Sequence, residues 1–269
     1  MGGQSSGDAA KRPQSTSGLN RSSDADHRVS SARLAATPQG IFEQGTFEQG
    51  TFKQGTFEQR TFKMRRSRMG ATRQADFERL APLHSVAAVG PPLDLALLGG
   101  GRPVVVDIGS GMGEATIAAA VADPITVILA VEVHTPGLAN LLQGVERERL
   151  DNVFVCQGDA LAFLNFRVAS ESIDGVRIFF PDPWPKTRHH KRRLITPERV
   201  TVVVSKLRVG GWLHFATDDS GYAEIVVAVM GEQSATTPTV PPQRPTTGFE
   251  RRALLAGRAC YDLAWIKRF

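Results

Sequence analysis

Residues 104–114 read Val-Val-Val-Asp-Ile-Gly-Ser-Gly-Met-Gly-Glu. The run of valines predicts a buried strand, and the three glycines that follow predict a tight loop at the start of a helix. Glycine carries no side chain, so a ligand can approach the backbone of such a loop closely. The stretch therefore predicts a strand, a ligand-binding loop and a helix, with Asp107 near the end of the strand.

Strands and helices alternate through the rest of the chain. The segments predicted to be strands are 104–107, 127–131, 152–156, 173–180, 212–217 and one near 260–266. The segments predicted to be helices are 114–122, 138–149, 197–207 and 222–230. Short apolar strands separated by helices predict an α/β fold with a mainly parallel sheet and helices on both faces. Ligands of such sheets bind beyond the carboxyl ends of the strands.

The spacing of the glycines restricts the kind of ligand. A nicotinamide-binding fingerprint places a third glycine at position 114, but this chain has Glu114 there. The spacing argues against a dinucleotide and favours an adenosine ligand with a zwitterionic chain, such as S-adenosylmethionine. Gly109 and Gly111 would let that ligand approach the loop, and Asp107 suits its ammonium group.

Two further acids follow predicted strands. Glu132 ends the second strand, where a carboxylate can accept hydrogen bonds from both ribose hydroxyls. Asp159 follows the third strand and can accept a hydrogen bond from the adenine amino group. Each acid alone fits the cap or first turn of a helix equally well. Three acids at successive strand ends favour the cofactor site.

A second unusual stretch runs from Phe179 to Arg193 and reads Phe-Phe-Pro-Asp-Pro-Trp-Pro-Lys-Thr-Arg-His-His-Lys-Arg-Arg. Proline fixes its own φ and restricts the residue before it, so three prolines in five residues stiffen this backbone. A stiff loop can hold Asp182 and Trp184 against a ligand. The alternative is a turn followed by a solvated helix start.

Basic residues are concentrated in two runs, although the net charge of the 269 residues is only +5. One run is Arg60, Lys63, Arg65, Arg66, Arg68 and Arg73, and the other is Lys186, Arg188, Lys191, Arg192 and Arg193. Outside these runs, acidic residues outnumber basic ones. Two concentrated patches of positive charge favour a polyanionic partner over a merely solvated surface.

Composition narrows the class of protein further. We find no apolar stretch long enough to span a membrane and no secretory signal pattern, so we expect a cytoplasmic protein. Cys156 and Cys260 lie far apart without metal-ligand spacing, so neither a disulfide framework nor a metal site is expected. Residues 1–58 are poor in large aliphatic side chains and include five-residue repeats, which predicts a disordered extension before a domain at 59–269.

These motifs together resemble the bacterial tRNA (guanine-N7)-methyltransferase family from about residue 60 to the C-terminus. The proline-rich loop with its basic run is the most specific match. The supporting segments are 60–69, Val131–Gly137, Ala216–Asp218 followed by Tyr222–Glu224, and Arg244–Glu250. The resemblance implies a class I methyltransferase fold with a seven-stranded, Rossmann-like sheet, S-adenosylmethionine as cofactor without a metal, and tRNA as partner. It implies methylation at N7 of guanine 46 in the variable loop, with no expected contact to DNA or membranes, and leaves a monomer or a homodimer open.

Roles for individual residues follow from the same resemblance. The acids assigned to S-adenosylmethionine are Asp107, Glu132, Asp159 and Asp182, and Asp182 is also assigned to catalysis. The residues assigned to the substrate are Lys186, Asp218, Thr247, Gly248, Phe249 and Glu250. The residues assigned to RNA are Arg188, His189, His190, Lys191, Arg192 and Arg193. Two positions depart from the family pattern, which usually has Glu at position 107 and Lys at position 248.

The sequence leaves three alternative functions open. A nicotinamide-dependent reductase would share the fold, but Glu114 disfavours it. An RNA-binding protein without catalysis would not need the full set of acids. A methyltransferase with another acceptor, such as a protein side chain or a small molecule, would keep the cofactor site and change only the substrate.

Overall fold

The computed structural model describes residues 69–269. The predicted disordered segment 1–58, and all of the first basic run except Arg73, lie outside the described residues. The strands are β1 (Val104–Ile108), β2 (Val127–Glu132), β3 (Val153–Gln157), β4 (Ile173–Phe179), β5 (Leu207–Thr217), β6 (Thr236–Thr239) and β7 (Tyr261–Lys267). The helices are α1 (Ala71–His84), α2 (Leu95–Gly99), α3 (Glu114–Ala122), α4 (Thr135–Glu148), α5 (Ala160–Arg167), α6 (Pro197–Lys206), α7 (Ser220–Gly231) and α8 (Gly248–Leu255).

One sheet contains all seven of these strands, in the order β3-β2-β1-β4-β5-β7-β6. The first five strands of the chain pair in parallel, whereas β7 runs antiparallel to both β5 and β6. The carboxyl ends of β1 to β5 therefore meet at one edge of the sheet. Because β7 is reversed, its first residues lie at that same edge, next to the end of β5.

The hydrophobic core has one layer on each face of the sheet. Successive side chains along β2 belong alternately to the two layers. Val127, Leu129 and Val131 belong to one buried cluster, and Ile128 and Ala130 belong to the other. Successive side chains of a strand point to opposite faces, so the two clusters cover both faces. The predicted α/β fold with a mainly parallel sheet is confirmed.

Several element boundaries differ from the prediction. β5 begins at Leu207 and not at 212, and the helix predicted at 138–149 begins at Thr135. Helices α1, α2, α5 and α8 and strand β6 were not predicted. The described residues include no helix with the length and apolarity to cross a bilayer.

Candidate active site

A cleft of ≈ 330 Å³ opens at the carboxyl edge of the sheet. The parts of the chain that line it are the ends of β1 and β2, the glycine loop with the start of α3, the turn between β3 and α5, the segment after β4, and the first turns of α8. The predicted site residues that line the cleft are Asp107, Gly109, Gly111, Glu132, Asp182, Arg192, Thr247, Gly248 and Phe249. The fold thus brings together residues that are up to 142 positions apart, from Asp107 to Phe249.

The glycine loop requires left-handed backbone. Gly109, Gly111 and Gly113 have φ values of 75°, 58° and 81°, which residues with side chains rarely adopt. Glu132 holds this loop from the end of β2, because its carboxylate accepts a hydrogen bond of 2.8 Å from the Gly111 amide. The same carboxylate also accepts bonds from the amides of the two residues that follow it. Glu132 is therefore fixed at the floor of the cleft.

Asp107 is buried beside the glycine loop, with only 3% of its surface exposed. Its carboxylate accepts a hydrogen bond of 2.6 Å from the Thr116 hydroxyl. Burial raises the pKa of Asp107, and the charge of Arg177, which pairs with it in register on β4, opposes that rise. A cationic ligand group at Asp107 would stabilise the ionised carboxylate further.

Glu114 places a negative charge at the start of α3. Its carboxylate accepts a hydrogen bond of 2.8 Å from the Gly248 amide and forms an ion pair of 3.1 Å with Arg251. The start of this helix is where a dinucleotide would place its pyrophosphate. The charge of Glu114 therefore supports the sequence argument against such a ligand, and its bonds fasten α8 to the glycine loop.

Asp159 caps α5 in the structure. Its Oδ1 atom accepts hydrogen bonds of 3.0 Å from the amides of Leu161 and Ala162. Its neighbours Gly158 and Ala160 line the cleft. The capping role was the alternative that the sequence left open, and a contact between Asp159 and adenine stays a prediction.

The loop that carries Asp182 contains two residues in the left-handed region. Phe180 and Trp184 have φ values of 52° and 45°, and each precedes a proline. Such conformations cost about 1–3 kcal/mol each, so other contacts must hold them. Asp182 lies between them, exposed at the cleft and without a hydrogen bond or ion pair to residues 69–269.

Contacts on both sides of Asp182 stabilise this loop. The Phe180 amide donates a hydrogen bond of 2.7 Å to the Ala216 carbonyl at the end of β5. Trp184 packs edge-on against His189, with 5.6 Å between ring centroids, and Arg192 lies over the Trp184 ring. The loop is therefore anchored before and after the carboxylate.

Arg193 differs from the rest of its basic run. The preceding residues form a 3-10 helix, Thr187–Arg192, on which Arg188, Lys191 and Arg192 are exposed and His189 and His190 are half-buried. Arg193 is buried, and its Nε atom donates a hydrogen bond of 2.8 Å to the Pro183 carbonyl. Its guanidinium carbon also lies 5.4 Å from the centroid of the Tyr222 ring. This geometry favours support of the Asp182 loop over the RNA contact that the sequence predicts, which stays untested.

An ion-pair network behind the cleft was missed by the sequence analysis. Arg244 forms ion pairs of 2.5 Å with Glu250 and 2.6 Å with Asp262, and its own side chain is only 8% exposed. The ring of His214 lies 2.9 Å from the carboxylate of Asp262. The guanidinium of Arg244 also lies over the rings of Phe179 and Phe180, 5.3 and 5.4 Å from their centroids. The network joins β5, β7 and α8 to the loop that carries Asp182.

The first turn of α8 is closed by a capping box. The Thr247 hydroxyl accepts a bond of 3.1 Å from the Glu250 amide, and the Glu250 carboxylate accepts one from the Thr247 amide. Phe249 is 57% exposed at the cleft. Glu250, Lys186 and Asp218 do not line the cleft, and Asp218 forms an ion pair of 2.9 Å with Arg258. The predicted substrate contacts of these three residues stay predictions.

Fold and site together define the class of protein. The strand order with a reversed seventh strand, and a cleft built from an acid, a glycine loop and a second acid, are those of the class I methyltransferase fold that the resemblance implied. Among residues 69–269, no group of three or more metal-binding side chains lies close enough to hold a metal ion.

The family model and the curated relatives agree with this class. A family model described as "Putative methyltransferase" matches residues 101–263. A tRNA (guanine-N(7)-)-methyltransferase of Nocardia farcinica is 40% identical over 212 residues, which cover 72% of this chain and 79% of the relative. One of Streptomyces avermitilis is 46% identical over 200 residues, which cover 71% of this chain and 69% of the relative. The crystal structure of the 16S rRNA methyltransferase KamB is 13% identical, with a TM-score of 0.48 over 66% of this chain and 95% of that one.

This chain belongs to the tRNA (guanine-N7)-methyltransferase family. The resemblance drawn from the proline-rich loop and its supporting segments is confirmed.

Proposed function

We propose that this chain transfers the methyl group of S-adenosylmethionine to N7 of a guanine in tRNA, and that the guanine is residue 46 of the variable loop. Family membership supports the reaction. The single observation that carries the proposal is the position of Asp182, an exposed carboxylate held by a strained loop in the lining of a cleft that also contains Asp107 and Glu132.

The lining of the cleft fits S-adenosylmethionine. Asp107 and Glu132 offer carboxylates to an ammonium group and to ribose hydroxyls, and the glycine loop allows close approach to the backbone. The two basic residues of the lining, Arg192 and Arg252, come from other elements and not from the glycine loop. When bound, S-adenosylmethionine supplies a methyl carbon that the neighbouring sulfonium makes electrophilic.

Asp182 acts by orientation and charge in this proposal. Guanine N7 carries a lone pair and no proton, so the reaction needs no general base. The purine becomes positively charged as N7 bonds to the methyl carbon and the methyl–sulfur bond breaks, which leaves a neutral thioether, and a fixed carboxylate nearby would stabilise the charge on the purine. The rigid loop keeps Asp182 in place, so little reorganisation is needed at the moment of reaction.

The substrate base has to be exposed before it can enter the cleft. N7 of a guanine inside folded tRNA is engaged in tertiary contacts, and extruding a base costs a few kcal/mol. Trp184 and Phe249 line the cleft and offer aromatic rings on which an extruded purine can stack. Such stacking would offset part of the cost of extrusion.

A methylation assay tests the proposed function. The purified protein is incubated with labelled S-adenosylmethionine and unmodified tRNA, and the nucleosides are then separated. We expect 7-methylguanosine, and no label in a transcript that carries adenine in place of guanine 46. Label in another nucleoside, or in a protein or small-molecule acceptor, would reject the assignment.

The role of Asp182 needs its own variant. Asp182→Asn removes the charge with little change of shape, and we expect it to lower the rate at saturating substrates about 100-fold. Asp151→Asn is the matched control, because Asp151 is exposed and follows α4, which ends away from the cleft. An unchanged rate in Asp182→Asn would reject the role of Asp182, and the proposed reaction would then rest on family membership alone.

A further inference from the structure

Two arginine–aromatic pairs line the cleft. The guanidinium carbon of Arg192 lies 5.0 Å from the centroid of the Trp184 ring, and that of Arg252 lies 4.6 Å from the centroid of the Phe249 ring. The first pair belongs to the region that follows β4, and the second belongs to α8. All four residues line the same cleft. Two guanidinium groups from different parts of the chain, each over an aromatic ring, therefore line the site.

Arg252 differs from its basic neighbours in having no acidic partner among residues 69–269. Arg251 pairs with Glu114 and Arg258 pairs with Asp218. Arg252 instead places its guanidinium over the exposed ring of Phe249, and Arg192 places its own over the half-buried ring of Trp184. A guanidinium that is already stacked loses little conformational freedom when it binds an anion, and its planar donors match the oxygens of a phosphate.

We propose that Arg252, supported by the ring of Phe249, binds a phosphate group of the nucleotide whose base enters the cleft. In this arrangement Arg192, supported by Trp184, binds a second phosphate of the same strand. The inference rests on the proposed function, because it requires an RNA substrate. Neither the sequence motifs nor the family resemblance assigns a role to Arg252.

The charge of the reaction product favours a phosphate group, and not the edge of the guanine base, as the group that Arg252 binds. Arginine commonly donates to O6 and N7 of guanine, but N7 must stay free in this reaction. The purine also becomes positively charged on methylation, so a guanidinium bound to its edge would oppose the reaction electrostatically. A phosphate carries the opposite charge throughout, so binding Arg252 there leaves the chemistry undisturbed.

Salt-dependent tRNA binding tests this inference without the methyl donor. The affinity of unmodified tRNA is measured over a series of KCl concentrations for the wild type, Arg252→Gln, Arg192→Gln and the double variant. Each lost phosphate contact is expected to reduce the slope of log affinity against log salt by about 0.7–0.9, and the double variant should lose about twice that amount. Arg252→Lys keeps the charge and should keep the wild-type slope.

Two further variants distinguish the loss of a phosphate contact from a general change of charge and from a loss of packing. Arg147→Gln makes the same charge change at the end of α4, away from the cleft, and should leave the slope unchanged. Phe249→Leu removes the supporting ring and should weaken binding without changing the slope. Arg252 is exposed, so its variants should keep the wild-type melting temperature.

The outcomes distinguish this inference from the proposed function. If Arg252→Gln has the wild-type slope while the wild type binds and methylates tRNA, the phosphate contact is wrong and the proposed function stands. If the wild type does not bind tRNA, both fall together. The phosphate contact is supported if Arg252→Gln reduces the salt slope and Arg252→Lys has the wild-type slope.

Discussion

Arg193 donates a hydrogen bond of 2.8 Å from its Nε atom to the carbonyl oxygen of Pro183, the residue next to Asp182. The bond joins the end of the basic run to the loop that the run follows. Arg193 is buried, while Lys191 two residues earlier is exposed. One run of basic residues therefore contains side chains with two kinds of contact, and sequence position alone does not separate them.

Arg193→Gln is expected to affect the reaction more than RNA binding. The glutamine cannot reach the Pro183 carbonyl in the same geometry, so the Asp182 loop loses one of its anchors. We expect the rate at saturating substrates to fall about 10-fold while the salt slope of tRNA binding stays close to wild type. Lys191→Gln should do the reverse, with a smaller slope and a nearly unchanged rate. Rate and slope are measured on both variants, and a reduced slope in Arg193→Gln alone would instead assign Arg193 to RNA.

Arg244→Met is expected to destabilise both the protein and its site. The variant leaves the carboxylates of Glu250 and Asp262 without their cation, and breaking a buried ion pair in this way costs about 3 kcal/mol. Thermal unfolding measures the loss of stability. Initial rates of methyl transfer measure the effect on the loop that carries Asp182. Arg258→Met is the control, because the pair that it breaks with Asp218 is more exposed.

A conservative variant distinguishes positioning from bulk stability. Arg244→Lys keeps the charge but loses the planar contact with two carboxylates and two rings. Compared with Arg244→Met, we expect Arg244→Lys to have a melting temperature closer to that of the wild type, while its reaction rate stays well below the wild-type rate. If it restored both equally, the planar geometry of Arg244 would have no role beyond stability.

Acid stability should depend on Asp262. Burial would raise the pKa of Asp262, but hydrogen bonds from His214 and Arg244 together with the charge of Arg244 lower it to about 2. The folded-state pKa is thus below the unfolded value of about 3.9, so this stabilisation is present above pH 4 and is lost as the pH falls toward 2. Asp262→Asn should be less stable at neutral pH and should lose less stability on acidification. Urea unfolding at several pH values from 6 to 3 tests this, and parallel curves for the two proteins would contradict it.

Gly137→Ala is expected to disrupt the cofactor loop. A β-carbon at Gly137 would overlap the carbonyl oxygen of Gly111, which belongs to rigid backbone. The loop must shift, so we expect S-adenosylmethionine to bind at least 10-fold more weakly, as measured by calorimetry. Gly231→Ala is the matched control, since a β-carbon there meets nothing within 4 Å, and it should leave binding unchanged. Equal binding by both variants would show that the loop adapts.

The sheet and the glycine loop were predictable because their signals are local. The valines of β1 and the glycines after them determine a strand and a turn without reference to distant residues. The position of Asp182 at the cleft was predictable for the same reason, since its flanking prolines are adjacent in sequence, whereas its role stays a prediction. The left-handed conformations of Phe180 and Trp184 were not, because both precede proline and neither is glycine.

The Arg244 network could not be predicted because its members are far apart in the chain. His214 and Asp262 meet only after β5 and β7 pair, and nothing local marks either as a partner of the other. Strand β6 was missed because it contains Pro238, which an edge strand tolerates. Helix α8 could have been found, since Thr247 and Glu250 have the spacing of a capping box.

The position of β7 at the end of the chain affects when the Arg244 network can form during synthesis. Asp262 reaches His214 and Arg244 only when β7 is paired with β5. A nascent chain therefore lacks the complete Arg244 network until β7 has been translated and has paired with β5. Any tRNA that meets the growing polypeptide earlier encounters the glycine loop without the network that supports Asp182.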